Sequence, residues 1–194
     1  MCRLKQVVAL VGPLGAGKDT VAKHLVEHYD FRRFAFADEI KRNYYAFSGY
    51  SEEQFKTARG MSLEKEIRAG LWQYSDRIKR EKGSLYFINI VIDAMCDCQQ
   101  PTVVTDIRTY EELKAMREIG AAVVLVLKIG KDTDFSVVRC HQTIPGSRLL
   151  YSDVEKSDDK LFFNYDCDDL EFTGRTIEMF CRHTGILKGE ANLK

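Results

Sequence analysis

Short apolar runs alternate with amphipathic stretches along most of this chain. Lys5 to Val11 carries a run too continuously apolar to have a solvated face, the pattern of a strand buried in a parallel sheet. From Val21 the period becomes helical, with Val21, Ala22, Leu25, Val26 and Tyr29 on one side. Phe31 to Ala37 predicts a second short strand ending at Asp38, and Ala37 to Arg42 opens a helix. Ser51 to Glu81 reads as helical and strongly charged. Leu85 to Met95 reads as an apolar helix packed under the sheet, stopped by Gln99-Gln100-Pro101. Pro101 to Asp106 gives a third strand, Glu111 to Ile119 a helix ended by Gly120, and Ala121 to Ile129 a fourth strand. Regularity is lost between Gly130 and Asp159. Leu161 to Tyr165 reads as a fifth strand, Asp168 to His183 as a final amphipathic helix, and Leu187 to Lys194 as a frayed tail. Strands alternating with helices in this way predict an α/β three-layer sandwich with a five-stranded parallel sheet.

The first strand runs into Gly12-Pro13-Leu14-Gly15-Ala16-Gly17-Lys18-Asp19-Thr20, and a helical pattern follows. Strand, glycine turn and helix form the context in which G-x-x-x-x-G-K reads as a phosphate-binding loop. Glycines let the backbone curl so that successive N–H groups point inward, and the helix N-terminus adds partial positive charge. Lys18 is then placed to reach the outer phosphates of a nucleotide. The metal-holding Ser/Thr that usually follows the lysine is replaced by Asp19. Thr20 lies about 100° further round the helix. Both are candidate magnesium ligands.

Other residues carry two readings each. Asp38 is either the cap of its helix or a functional carboxylate at the carboxyl end of a strand, where ligands of doubly wound folds bind. The strand ending at Asp106 has the form of a Walker B strand, whose aspartate helps hold magnesium, and Arg108 is a further phosphate candidate. Arg59, Lys65, Arg68, Arg77, Lys79, Arg80 and Lys82, interleaved with acids and with Trp72, Tyr74 and Tyr86, form either a solvated face or a lobe gripping a phosphorylated acceptor. The interval from Gly130 to Asp159 is a surface loop or a lid whose Arg139 and Arg148 close over the transferring phosphate. His24 and His28, four apart, are a metal pair or solvated helix histidines.

Composition narrows the classes. At 194 residues the chain fits one domain, and 29 basic against 29 acidic residues leave no general field for nucleic acid or an anionic membrane. Six cysteines without C-x-x-C spacing argue against a zinc site or disulfide framework and read as buried or idle thiols. There is no signal-peptide pattern and no apolar run that spans a bilayer, so a cytoplasmic location is expected. A GTP-type switch would carry an N-K-x-D motif, which is absent. Monomer and homodimer both remain open.

Gly17-Lys18-Asp19-Thr20, Phe36-Ala37-Asp38-Glu39-Ile40-Lys41 and Thr105-Asp106-Ile107-Arg108 with Glu111 and Glu112 resemble, in order and spacing, the loop, F-A-D-x-L-K and D-x-R segments of phage-type deoxynucleoside monophosphate kinases. Phosphomevalonate kinases of the animal type are also similar in their G-K-D and T/S-D-x-R segments. Dephospho-coenzyme A kinases share a stretch like residues 37–42 but carry serine after the lysine. The resemblance covers roughly residues 5–130. It implies a P-loop NTPase fold with core 1–48, 101–129 and 160–185, an acceptor-binding helical insert at about 49–100 and a lid at about 130–159. It further implies magnesium-dependent phosphoryl transfer from ATP to a small phosphorylated acceptor. Gly12 to Thr20 would bind the ATP phosphates, with Asp19, Thr20 and Asp106 serving the metal. Taking the residue reading together with this resemblance, Lys18, Asp38, Asp106, Arg108, Arg139 and Arg148 are the expected catalytic residues. Asp38, Lys41, Arg42, Arg68, Trp72 and Arg77 would bind the acceptor.

Overall fold

Every residue of strand β1 (Val7–Val11) is buried, because β1 has a neighbour on each side and a covered face above and below. The computed structural model describes residues 6–12, 15–129, 160–165 and 170–187. After β1 come α1 (Lys18–Tyr29), β2 (Arg32–Phe34), α2 (Phe36–Ser48), α3 (Glu52–Thr57), α4 (Ser62–Lys82) and α5 (Tyr86–Cys96). Then follow β3 (Thr102–Val104), α6 (Tyr110–Glu118), β4 (Ala122–Ile129), β5 (Lys160–Tyr165) and α7 (Leu170–His183). The strands form one sheet in the order β2-β3-β1-β4-β5, and every neighbouring pair is parallel. The parallel α/β architecture expected from the apolar runs is therefore present. The interval 130–159, expected as a lid, lies outside the described residues.

Alternation along the strands sends successive side chains to opposite faces. Val8, Leu10, Val103, Val124 and Val126 pack with Val21, Ala22 and Leu25 of α1 and Ile177 and Cys181 of α7. Val7, Ala9, Val11, Val123 and Leu125 point the other way and are buried too. There α6 packs on β4, with Leu113 and Met116 fully buried. Each such side chain contributes about 1.5–3 kcal/mol. Val26, expected on the buried side of α1, is exposed: in this helix Val21, Ala22 and Leu25 meet the sheet, and Val26 turns past them.

The chain divides into two compact units, the sheet-bearing one (Met1–Phe34 with Met95–Lys194) and a helical one (Ala35–Ala94). Within the helical unit α2 and α3 pack on α4. Here the expected continuous helix from Ser51 is broken. α3 ends at Thr57, Gly60 turns left-handed at φ 81°, and α4 restarts at Ser62. Ser51 and Gln54 close a capping box on α3. The second strand is also shorter than expected, because the chain turns into α2 at Ala35, whose extended backbone caps that helix without a side-chain bond.

Among the described cysteines, Cys98 and Cys181 are buried free thiols, as expected, and Cys96 is disulfide-bonded, which was not. No helix among the described residues is long and apolar enough to cross a membrane.

The packing of α1 on α7 carries a titratable weak point. The His24 and His28 ring centroids lie 4.6 Å apart, and His24 Nε2 is buried with no hydrogen-bond partner among the described residues. Burial, and then His28, hold His24 below its ordinary value of 6.5, with Glu178 and Glu27 opposing. A depressed folded value means that the unfolded chain takes the proton first as pH falls. Stability should therefore be full above pH 6.5 and decline as pH drops through the folded value of His24. Urea denaturation across that range should show the decline, and His24→Gln should flatten it. The Glu178 carboxyl, held down mainly by Arg182, should contribute a separate loss only at pH below its ordinary 4.5.

Candidate phosphate-binding site

The sheet order creates a crevice beside β1. The crossover through α1 leads to β2 on one side, while the crossover through α6 carries β3 past β1 to β4 on the other. Right-handed crossovers in opposite directions put α1 and α6 on opposite faces, opening a gap at the carboxyl ends of β1 and β3. The segments leaving those two ends are the glycine loop and Thr105–Arg108.

The loop is held at three points. Gly12 is buried with φ 152°, and a Cβ there would overlap the carbonyl oxygen of Val126 on β4. Ala16 is fully buried in the core beneath α1. Gly17, left-handed at φ 92°, caps α1, and its carbonyl accepts the Val21 N–H at 3.0 Å. Gly15 (φ 78°) faces open space. Pro13 and Leu14 lie outside the described residues.

Lys18, the first residue of α1, folds back so that Nζ donates to the Gly12 carbonyl at 2.8 Å. Its ammonium is thereby aimed over the loop. Burial is the largest influence on Lys18 and holds it below its ordinary value. Arg108 adds to this effect, and Asp19 and Asp106 oppose it. Lys18, Asp19, Asp106 and Arg108 thus form one charged cluster, from segments more than eighty residues apart in sequence. Asp19 and Thr20 are both exposed on the first turn of α1, and Asp106 is partly buried.

The β3 exit is anchored by its own contacts. Thr105 N–H donates to the Phe34 carbonyl at 3.2 Å, continuing the strand ladder one residue. Its hydroxyl is buried and has no hydrogen-bond partner among the described residues. Glu112, also buried, accepts from Arg108 N–H at 2.7 Å and Thr109 N–H at 3.0 Å. The Thr109 hydroxyl in return accepts from Glu112 N–H. This capping box fixes the backbone that carries Arg108. The T-x-x-E spacing was legible in the sequence as a helix-start signal, but nothing local told that it would brace a site.

In the helical unit, Asp38 sits in the first turn of α2, not at its cap, because Ala35 takes the cap position. The capping reading of Asp38 is therefore corrected, and its carboxylate meets Lys41 Nζ at 3.2 Å. The other basic candidates are engaged along their own helices. Arg42 pairs with Glu39, Arg68 with Glu64 and Arg77 with Glu81. Arg77 also lies over the Phe47 ring at 4.5 Å. Trp72 is 47% exposed. The exposed Arg77–Glu81 pair is worth only about 0.3–0.5 kcal/mol, so little opposes its opening toward a stronger anion. Arg139 and Arg148 lie outside the described residues.

No protein-family model and no curated protein matches this chain. Among solved structures it is similar to TT1252 from Thermus thermophilus, with a TM-score of 0.54 and 12% identity over 96% of this chain and 100% of that one. A shikimate kinase from Aquifex aeolicus vf5 gives a TM-score of 0.46 with 15% identity, covering 93% of this chain and 99% of its own. An unliganded sugar kinase from Janibacter sp. HTCC2649 gives 0.43 with 19% identity, covering 94% and 95%. At these identities the first likeness speaks of fold alone, and the two kinases, below 0.5, add no argument.

The loop geometry makes one substitution decisive. Gly12→Ala should cost about 1–3 kcal/mol in urea denaturation, the usual penalty of overpacking, because the backbone carbonyl it meets cannot swing away. Gly15→Ala, facing open space, should cost less despite its positive φ.

Proposed function

We propose that this chain is an ATP-dependent phosphotransferase that converts a nucleoside or deoxynucleoside monophosphate to the diphosphate, with ADP as the other product. The observation that carries the reading is the Lys18 cluster: a glycine loop at a helix N-terminus, its lysine folded over it, with Asp106 and Arg108 beside it. Phosphoryl transfer asks mostly for positioning and for stabilisation of charge spread over phosphate oxygens. Lys18 and Arg108 supply cations, and the first turn of α1 supplies backbone N–H groups.

A magnesium ion suits these donors. The candidates are all oxygen ligands, Asp106, Asp19 and Thr20, and no group of three or more His, Cys, Asp or Glu residues able to hold a metal occurs among the described residues. Magnesium bound with ATP takes one or two carboxylates, waters and the phosphates rather than a protein cage. When bound it would offset phosphate charge, with Asp106 as its principal protein partner.

The nucleotide acceptor is supported by the likeness of residues 36–41 and 105–108 to the deoxynucleoside monophosphate kinases. The same segments resemble phosphomevalonate kinases, so a non-nucleotide phosphomonoester is the second reading. A non-catalytic nucleotide-binding regulator is the third reading. Asp38 faces the acceptor in both kinase readings, and residues 130–159, with Arg139 and Arg148, serve as the lid.

A coupled ADP-release assay with ATP, magnesium and a panel of nucleoside monophosphates, phosphomevalonate and dephospho-coenzyme A tests the reading. One or two nucleotides should give a strong rate, and silence across the nucleotides would overturn it. Lys18→Ala should lower turnover by orders of magnitude while the melting temperature stays nearly constant, since its ammonium reaches over the glycine loop to the Gly12 carbonyl rather than into the apolar core. Asp38→Asn should lower turnover more than ATP affinity. Parallel loss of stability and rate would instead assign Asp38 to the structure of α2.

A further inference from the structure

Tyr45 lies on α2 seven residues after Asp38, two turns along the same side of the helix. Its hydroxyl is buried and hydrogen-bonds nothing among the described residues. Buried phenols ordinarily find a partner, because leaving one unmade forfeits the water it gave up. The surroundings are polar. Glu52 at the start of α3, Arg68 on α4 and Asp38 on α2 all stand close enough to bias the phenol, which burial pushes above its ordinary value.

The groups around this hydroxyl are closely packed or paired. Beside it Tyr44 is buried against Gly70 of α4, where a Cβ would overlap the Tyr44 hydroxyl. Glycine at that position is what lets α2 and α4 meet there. Arg68 is oriented by Glu64, which accepts from Nε at 2.9 Å and Nη2 at 2.7 Å, and by the Phe55 ring 5.0 Å beneath its guanidinium. The nearby carboxylates are offset by their own partners: Glu52 pairs with Lys56 at 2.8 Å and Asp38 with Lys41 at 3.2 Å. An orphaned O–H donor and an oriented guanidinium at one helix junction suit a tetrahedral oxyanion.

We propose that the Tyr45 hydroxyl and the Arg68 guanidinium form an oxyanion subsite that takes the phosphate of a phosphomonoester acceptor. It rests on the kinase reading above and deepens it, adding a residue that no motif marks. Tyr45 donates to a phosphate oxygen, Arg68 pairs with the charge, and Asp38, one side of the same helix, lies toward the rest of the acceptor.

The chain contains one tryptophan, Trp72, one turn beyond Arg68 on α4, and its fluorescence can report binding. Inorganic phosphate, a deoxynucleoside monophosphate and phosphomevalonate would each be titrated against the wild-type chain and Tyr45→Phe, with equilibrium dialysis in parallel. Tyr45→Phe should weaken phosphomonoester binding about tenfold or more, the usual cost of a hydrogen bond to a charged group, while ATP affinity stays unchanged. Its melting temperature should hold or rise, since an unsatisfied hydroxyl is removed. Equal affinity of the two proteins overturns the subsite, as does absence of binding of all three probes to the wild type. Tyr45-dependent binding without turnover of any acceptor would keep the subsite and remove the kinase reading. Preference between the nucleotide and phosphomevalonate names the source of the phosphate.

Discussion

The contact on which the candidate phosphate site depends is the approach of Gly12 to the Val126 carbonyl. β1 and β4 are paired up to Val11 and Leu125, so the chain must leave β1 directly against its neighbour. A residue without a Cβ at that point lets the loop turn inside the sheet edge instead of swinging away from it. Everything downstream inherits this position: Ala16 drops into the core, Gly17 caps α1, and Lys18 reaches back to the carbonyl of Gly12 itself.

The second segment of the cluster is braced by different means. β3 ends at Val104, and the ladder bond from Thr105 to Phe34 carries the chain one residue further. Glu112 then takes two backbone N–H groups that would otherwise go unsatisfied at the start of α6. Asp106 and Arg108 are thus held between a strand ladder and a helix cap, both rigid. The helical unit is organised on another principle. An aromatic group of Tyr44, Tyr50, Tyr74 and Phe47 fills the junction of α2 with α4, and ion pairs decorate its outer faces. The buried side chains of this unit also include Phe36, Ile67, Ile78 and Phe87, while its surface pairs are individually weak.

Much of this was legible locally. The continuous apolar run before Gly12, the G-x-x-x-x-G-K spacing and the acid at the end of the third strand each reflect short-range physics: burial on two faces, glycine freedom and strand termination. Element boundaries agreed to within a few residues where a cap or glycine marks them, as at Gly120. They failed where the signal was a tertiary contact. Phe36 begins α2 although its run reads as strand: Ala35 takes the cap position, and the Phe36 ring is buried. The charged stretch from Ser51 read as one helix because charge patterning continues across Gly60, and only that backbone turn separates α3 from α4. Tyr45 carried no signal at all, since one tyrosine among several on a helix says nothing about which hydroxyl becomes orphaned.

The sequence by itself determined the local elements, the phosphate-loop motif and the balance of charge that leaves anion binding to clusters. Those properties depend on residues within a turn or two of one another. Only the tertiary structure decided that β1 lies between β3 and β4, and hence that Lys18 meets Asp106 and Arg108. Strand order is set by which apolar faces cover one another after the crossovers are made, a long-range packing choice that no periodicity encodes. The same holds for the surroundings of Tyr45, where Gly70 lets α4 close on Tyr44 of α2, twenty-six residues earlier in the chain and adjacent only in the fold.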